Sequence, residues 1–179
     1  MPQFNKILLI LMLLLPSVVL GSDQQVRPFL GVGVSQFDVD FTGIPESQTQ
    51  VPVYKLGVQL PSSRFYADWS FHYWPEAETI IIRASYDRLF TLGPRLQLFA
   101  GINGSLADFH LDSSHQQEEF DTGPGLGVQA GLLVQLADYW YLEAGGRYSH
   151  YWLETSSELV DPVELNATYE TFATLMFVY

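Results

Sequence analysis

Apolar and polar side chains alternate one by one through most of the chain beyond residue 26. Tyr54, Leu56, Val58 and Leu60 share one parity. So do Phe65, Ala67, Trp69, Phe71 and Tyr73, and again Leu126, Val128, Ala130, Leu132, Val134 and Leu136. A repeat of two is that of a β-strand with one apolar face. The pattern predicts strands over 27–41, 53–60, 64–74, 79–90, 95–109, 125–136, 139–154 and 167–179, bounded by turn-forming residues. Tight connections at Pro61-Ser62-Ser63, Gly93-Pro94 and Ala137-Asp138 alternate with longer ones at 42–52, 112–124 and 155–166; 75–78 is short but belongs to the longer set by position. The expected fold is therefore all-β, an eight-stranded antiparallel up-and-down meander with its tight turns at one end. Strand one is irregular. Leu30, Val32 and Val34 share one parity, but Phe37, Val39 and Phe41 share the other, as a bulge or an end of membrane contact near Ser35 would produce.

The last eleven residues, Tyr169 to Tyr179, narrow the fold class further. Tyr179, Phe177, Leu175, Ala173, Thr171 and Tyr169 form one mostly apolar face, about the length of a tilted membrane-crossing strand. An exposed apolar edge strand invites aggregation, whereas a closed barrel has no edge. The strands are thus expected to close into a transmembrane β-barrel.

Alternation alone also fits a soluble barrel with its apolar face inward, so the make-up of the two faces decides. The apolar face is continuous and flanked by aromatics: Phe29, Phe65, Phe90, Trp140 and Tyr179 towards one interface, Tyr73, Trp74, Tyr151 and Trp152 towards the other. The polar face is rich in Gly and holds both charge signs in mid-strand, as a narrow polar lumen requires. Its charges are Lys55, Arg64, Arg83 and Arg147 against Asp68, Asp87, Glu143 and Glu170. An eight-stranded barrel is just wide enough for side chains to fill it, and buried charges are costly unless paired. These eight are expected to interlock as a plug, with Lys55 close to Asp68 across the hairpin of strands two and three. A narrow gated ion path is the alternative reading of the same charges.

The N-terminus adds an export signal. Lys6 precedes the apolar run Ile7 to Leu15, and Pro16 and Ser17-Val18-Val19-Leu20-Gly21 follow, so 1–21 reads as a cleaved signal peptide and 22–179 as the barrel domain. The run is too short to span a bilayer as a helix. The chain has no Cys, which excludes disulfides and lipid attachment through Cys, and it lacks the basic face that nucleic-acid binding needs.

With this signal peptide, eight amphipathic strands, balanced lumen charges and terminal Tyr179, the chain resembles the small eight-stranded outer-membrane β-barrels of OmpA/OmpX type over its mature length. The resemblance implies a monomer in the bacterial outer membrane, in contact with its lipid and lipopolysaccharide. It implies recognition of Tyr179, Phe177 and Leu175 by the barrel assembly machinery, and a part in envelope integrity or adhesion. With nothing after Tyr179, the cell-wall tethering of longer members is not expected.

The net charge of −12 is concentrated at the long-loop end. Asp38, Asp40, Glu46, Glu76, Glu78, Asp108, Asp112, Glu118, Glu119, Asp121, Glu154, Glu158, Asp161 and Glu164 lie there without Lys or Arg, while Arg27, Arg64, Arg88 and Arg95 lie towards the other end. Such a surface attracts cations or a basic partner and repels polyanions. His110, Asp112, His115, Glu118, Glu119 and Asp121 have metal-ligating chemistry but no calcium- or zinc-site spacing, so no metal or other cofactor is expected. His150 and His110 share the outward parity near the loop rim, with Asp108 beside one of them. No Ser nucleophile stands in a hydrolase motif, so no enzyme activity is expected.

Overall fold

The computed structural model is a closed barrel of eight antiparallel strands in chain order: β1 (Arg27–Phe41), β2 (Ser47–Leu60), β3 (Ser63–Trp74), β4 (Ala77–Thr91), β5 (Leu96–Leu111), β6 (Phe120–Gln135), β7 (Trp140–Thr155) and β8 (Val163–Val178). It describes residues 26–41, 47–74, 77–111, 120–155 and 163–179; the segment read as a signal peptide lies outside them. Each strand pairs with the next and β8 returns to β1, so no edge remains.

The register fixes the barrel's geometry. Stepping across partners from Arg27 leads through Gln59, Arg64, Asp87, Gly101, Gln129, Arg147 and Glu170 back to β1 at Phe37, ten residues beyond the start. A stagger of ten over eight strands tilts them by roughly 40° to the axis, within the usual range for barrels.

Side chains then divide cleanly by parity. Leu30, Leu56, Ile102, Leu126, Val128 and Leu132 face outward and are exposed, while their neighbours in sequence are buried or half-buried. Leu126 to Leu136 covers roughly 25 Å along the axis, the height of a membrane barrel's apolar band. A wall of exposed Leu, Val and Ile around a buried charged interior inverts the arrangement of a soluble barrel; the hydrophobic effect stabilises it only in hydrocarbon.

Three expectations are corrected. First, β1 has no bulge near Ser35: its register with β2 runs unbroken from Arg27 to Val39, so Phe37 points into the lumen, fully buried. Second, Phe29 and Tyr151, placed among the interfacial aromatics, face inward and are buried, whereas Phe65, Phe90, Trp140, Trp152 and Tyr179 are exposed on the outer wall. Third, β2, β6 and β8 begin earlier than the pattern indicates, and β2 and β6 take in Pro52 and Pro124. Pro52 pairs with Val34 on one side, and pairing to β3 begins only at Val53. Pro124 likewise pairs with Leu106, and pairing to β7 begins at Gly125. Each proline lies where its strand is paired on one side only, so its missing N–H breaks no ladder.

The closing seam is held at the turn end. Tyr179 N–H donates to Pro28 O at 2.9 Å, Arg27 Nε donates to Tyr179 O at 2.8 Å, and Arg27 Nη2 donates to Val178 O at 3.4 Å. Leu175 and Tyr179 face outward, and Phe177 packs edge-on against Trp140 and Tyr179 with ring centroids 5.0 and 4.8 Å apart. Inside this end, Phe29, Tyr66, Leu133, Tyr141, Met176 and Val178 form a buried apolar layer.

Candidate functional site

The strands deliver the charges of the polar parity to the same interior. Lys55, Asp68 and Arg83 are successive partners on β2, β3 and β4; Arg64 and Asp87 are partners on β3 and β4, as are Arg147 and Glu170 on β7 and β8. Signs alternate along each row, so every cross-strand neighbour is attractive.

The eight charges resolve into two neutral sets. On the turn side, Lys55 Nζ donates to Glu143 Oε2 at 2.7 Å, Arg64 Nη2 donates to Glu143 Oε1, and Arg64 Nε donates to Asp87 Oδ2 at 2.7 Å. In the other set, Arg83 Nη1 donates to Asp68 Oδ1 at 2.6 Å, and Arg147 Nη2 donates to Asp68 Oδ2 at 3.0 Å. Glu170 Oε2 lies 3.0 Å from Arg83 Nη2 and 3.1 Å from Arg147 Nη1, and Glu170 Oε1 accepts from Ser35 Oγ at 2.6 Å. The side chains of all eight are at most 2% exposed. An unpaired charge so buried costs several kcal/mol; two cations against two carboxylates in each set leave none uncompensated.

Lys55 and Asp68 stand opposite one another in register, yet Lys55 reaches across the lumen to Glu143. Asp68 is held instead by two guanidiniums, whose planar forks suit a carboxylate better than an ammonium does.

Two features of the site depend on the register. Gln129 joins the two sets: its Nε2 donates to Asp87 Oδ1 and to Tyr66 Oη, both at 2.6 Å, and its Oε1 accepts from Arg147 Nε at 2.8 Å. Inward aromatics also flank every cation. Lys55 Nζ lies 4.2 Å from the Phe172 ring centroid, Arg64 Cζ 4.5 Å from Phe99, Arg83 Cζ 5.3 Å from Phe37 and Arg147 Cζ 5.3 Å from Phe172. Such contacts contribute up to about 2 kcal/mol when desolvated.

Glycine makes room for the two central rings. Phe99, Gly131, Gly145 and Phe172 are successive partners on β5, β6, β7 and β8, so the rings lean towards each other over two glycines, centroids 6.3 Å apart. A Cβ at Gly131 would stand 2.6 Å from Phe99 Cζ. Parity carried the only sequence signal for Phe99 and Phe172, since both lie on the polar face of their strands.

Towards the loop end, Phe37, Val51, Val53, Ile81, Ala107 and Tyr151 are buried beyond the ion pairs. They stand there among the buried polar Ser70, Thr79, Ser105 and Ser149, so the described apolar layer that flanks the charges is the one at the turn end.

His150 is half-buried on β7, its ring edge-on to Trp152 at 4.9 Å. Its row leads through Leu126 to Gly104, four residues short of Asp108, which accepts from Thr122 Oγ1 at 3.3 Å. Asp112, His115, Glu118 and Glu119 of the third loop lie outside the described residues, as do Glu46, Glu76, Glu158 and Asp161. Among the described residues no group of three or more His, Cys, Asp and Glu is placed to hold a metal.

No family model and no curated protein sequence matches the chain. Solved structures do. Neisserial surface protein A superposes with a TM-score of 0.69 at 18% identity, covering 85% of this chain and 97% of that one. OprH from P. aeruginosa, solved in DHPC micelles, gives 0.60 at 18% identity over 86% and 99%. Ail, the attachment invasion locus protein of Yersinia pestis, in complex with the heparin analogue sucrose octasulfate, gives 0.58 at 14% over 85% and 99%. The fold is that of the small eight-stranded outer-membrane β-barrels.

Proposed function

We propose that the protein is an integral outer-membrane barrel with a closed interior, acting in envelope integrity or adhesion through its loop-end surface, as a monomer and without catalysis. The observation that carries this reading is the lumen: four cations and four carboxylates, all buried and joined by ion pairs across the interior. An ion entering it must break pairs whose separation costs about 3–5 kcal/mol. With the lumen neutral, the charge of −12 resides outside it, and the loop end carries the excess of carboxylates. Ail was solved with a polyanion; the loop end here repels polyanions and favours divalent cations, shared with lipopolysaccharide, or a basic protein. The outward face of Leu175, Phe177 and Tyr179 suits recognition by the assembly machinery.

The test is single-channel recording of the refolded mature chain in a planar bilayer. A heat-modifiable barrel that passes no steady current supports a closed interior and leaves the loops as the acting surface. A reproducible current altered by Arg83→Ala or Glu143→Ala overturns it and makes the protein a narrow channel.

A further inference from the structure

The outer wall carries one cation. Among residues with described side chains, three charges face outward from the strands: Asp38 and Asp108 near the loop rim, and Arg88 on the turn-side half of β4. Arg88 is exposed and has no hydrogen-bond or ion-pair partner among the described residues. It is not at the end of the apolar band. Phe90, and Leu92 just past the end of β4, continue the band beyond it, 46% and 60% exposed, so its Cα stands roughly 10 Å inside Leu92. A lipid-facing Arg costs roughly 2–4 kcal/mol at mid-bilayer and up to about 1 kcal/mol near an interface, so at this depth it is strained unless its head reaches towards the headgroups.

The wall beside Arg88 is hollow. Its register partners across β5, β6 and β7 are Ala100, Ala130 and Gly146, all exposed. The row on the loop side is tall: Tyr86, Ile102, Val128 and Tyr148. The row on the turn side runs Phe90, Leu98 and Leu132 and ends on Ala144. The small residues thus make a groove roughly 14 Å long, walled on both sides as far as Ala130 and open on the turn side at Gly146, which the strand stagger carries upwards from Arg88 by roughly 9 Å into the hydrocarbon. Crowding does not demand the glycine: a Cβ at Gly146 would meet nothing nearer than Glu170 O at 3.7 Å, whereas inward Gly145, one residue away, is closely packed.

We propose that this groove is a binding site for one phospholipid of the turn-side leaflet, its phosphate on the Arg88 guanidinium and an acyl chain along Ala100, Ala130 and Gly146. The charge is complementary, and guanidinium with phosphate forms strong, forked hydrogen bonds. The groove climbs in the direction an acyl chain takes from its headgroup. The site rests on the membrane placement of the wall and is independent of whether the lumen conducts.

The experiment titrates the full chain, refolded in detergent, with phosphatidylglycerol and counts retained lipids by native mass spectrometry. One lipid is expected to be retained, and a diacylglycerol with the same chains is not. Arg88→Gln weakens retention about tenfold, the loss of one charge-assisted pair. Ala130→Leu, which fills the groove without touching the charge, weakens it comparably, and Arg95→Gln, an exposed turn arginine outside the groove, leaves it unchanged. Retention unaffected by both Arg88→Gln and Ala130→Leu overturns the site, and so does an equal loss in Arg95→Gln, which would mean diffuse charge attraction.

Discussion

Glu143 joins the two cations of the turn-side set, accepting from Lys55 and Arg64 on its two oxygens. Its neutralisation leaves those cations with Asp87 alone, so Glu143→Gln is expected to lower the unfolding free energy by about 3–5 kcal/mol. Phe172→Leu keeps most of the volume and all four carboxylates, and loses the ring faces under Lys55 and Arg147 and the ring contact with Phe99, at about 1–2 kcal/mol. Urea unfolding in lipid vesicles separates the two; equal losses would mean that packing, not charge pairing, holds the lumen. All eight charges were legible in the sequence because an ionised group in mid-strand on the polar face has nowhere to go but the lumen. Their partners were not, since Lys55 to Glu143 and the Gln129 bridge follow from a register that parity leaves free.

At the scale of the strand, a change of parity in the apolar pattern has two physical origins, and β1 shows how they are confused. The outward face of β1 ends its large apolar residues at Val34, and the inward face places Phe37 beneath Arg83. Two apolar sets on opposite faces of one straight strand look like a slip between faces when only hydropathy is read. Existence, order and facing of the strands were readable because period two is maintained over ten or so residues in each. Their loop-side starts were not, because beyond the membrane both faces are wet and the alternation weakens. Adjacent glycines on β7 offer a test of facing. A Cβ at Gly145 would stand 2.7 Å from Ala130 O and 2.8 Å from Phe99 Cζ, whereas one at Gly146 meets only Glu170 O, at an ordinary contact of 3.7 Å. Gly145→Val must displace backbone and is expected to cost more than the about 1–3 kcal/mol usual for overpacking. Gly146→Val is expected to fold like the parent. Heat-modifiability on gels reads both; a folded Gly145→Val barrel with parental stability would refute the ring-over-glycine packing.

For the whole molecule, a lumen closed as proposed consists of barriers in series. An ion crossing it meets the apolar layer of Phe29, Tyr66, Leu133, Tyr141, Met176 and Val178 at the turn end, then the two ion-paired sets. Desolvation makes the first impassable, and pair separation does the same for the second. Removing either alone should therefore leave the bilayer current at baseline. The double variant Phe29→Ala with Met176→Ala opens the turn end while Arg64 and Lys55 stay bound to Glu143. Arg83→Ala loosens the loop-side set, although Arg147 still holds Asp68 and Glu170. Combining all three with Arg64→Ala, which loosens the turn-side set as well, is expected to give a current. That current should select cations, because two lumen cations then face four carboxylates and the loop end is acidic as well. A reversal potential in a salt gradient reads the selectivity. Current from the turn-end pair alone would show that the ion pairs do not block the path, and anion selectivity in the quadruple variant would show that the charge of the lumen does not govern passage.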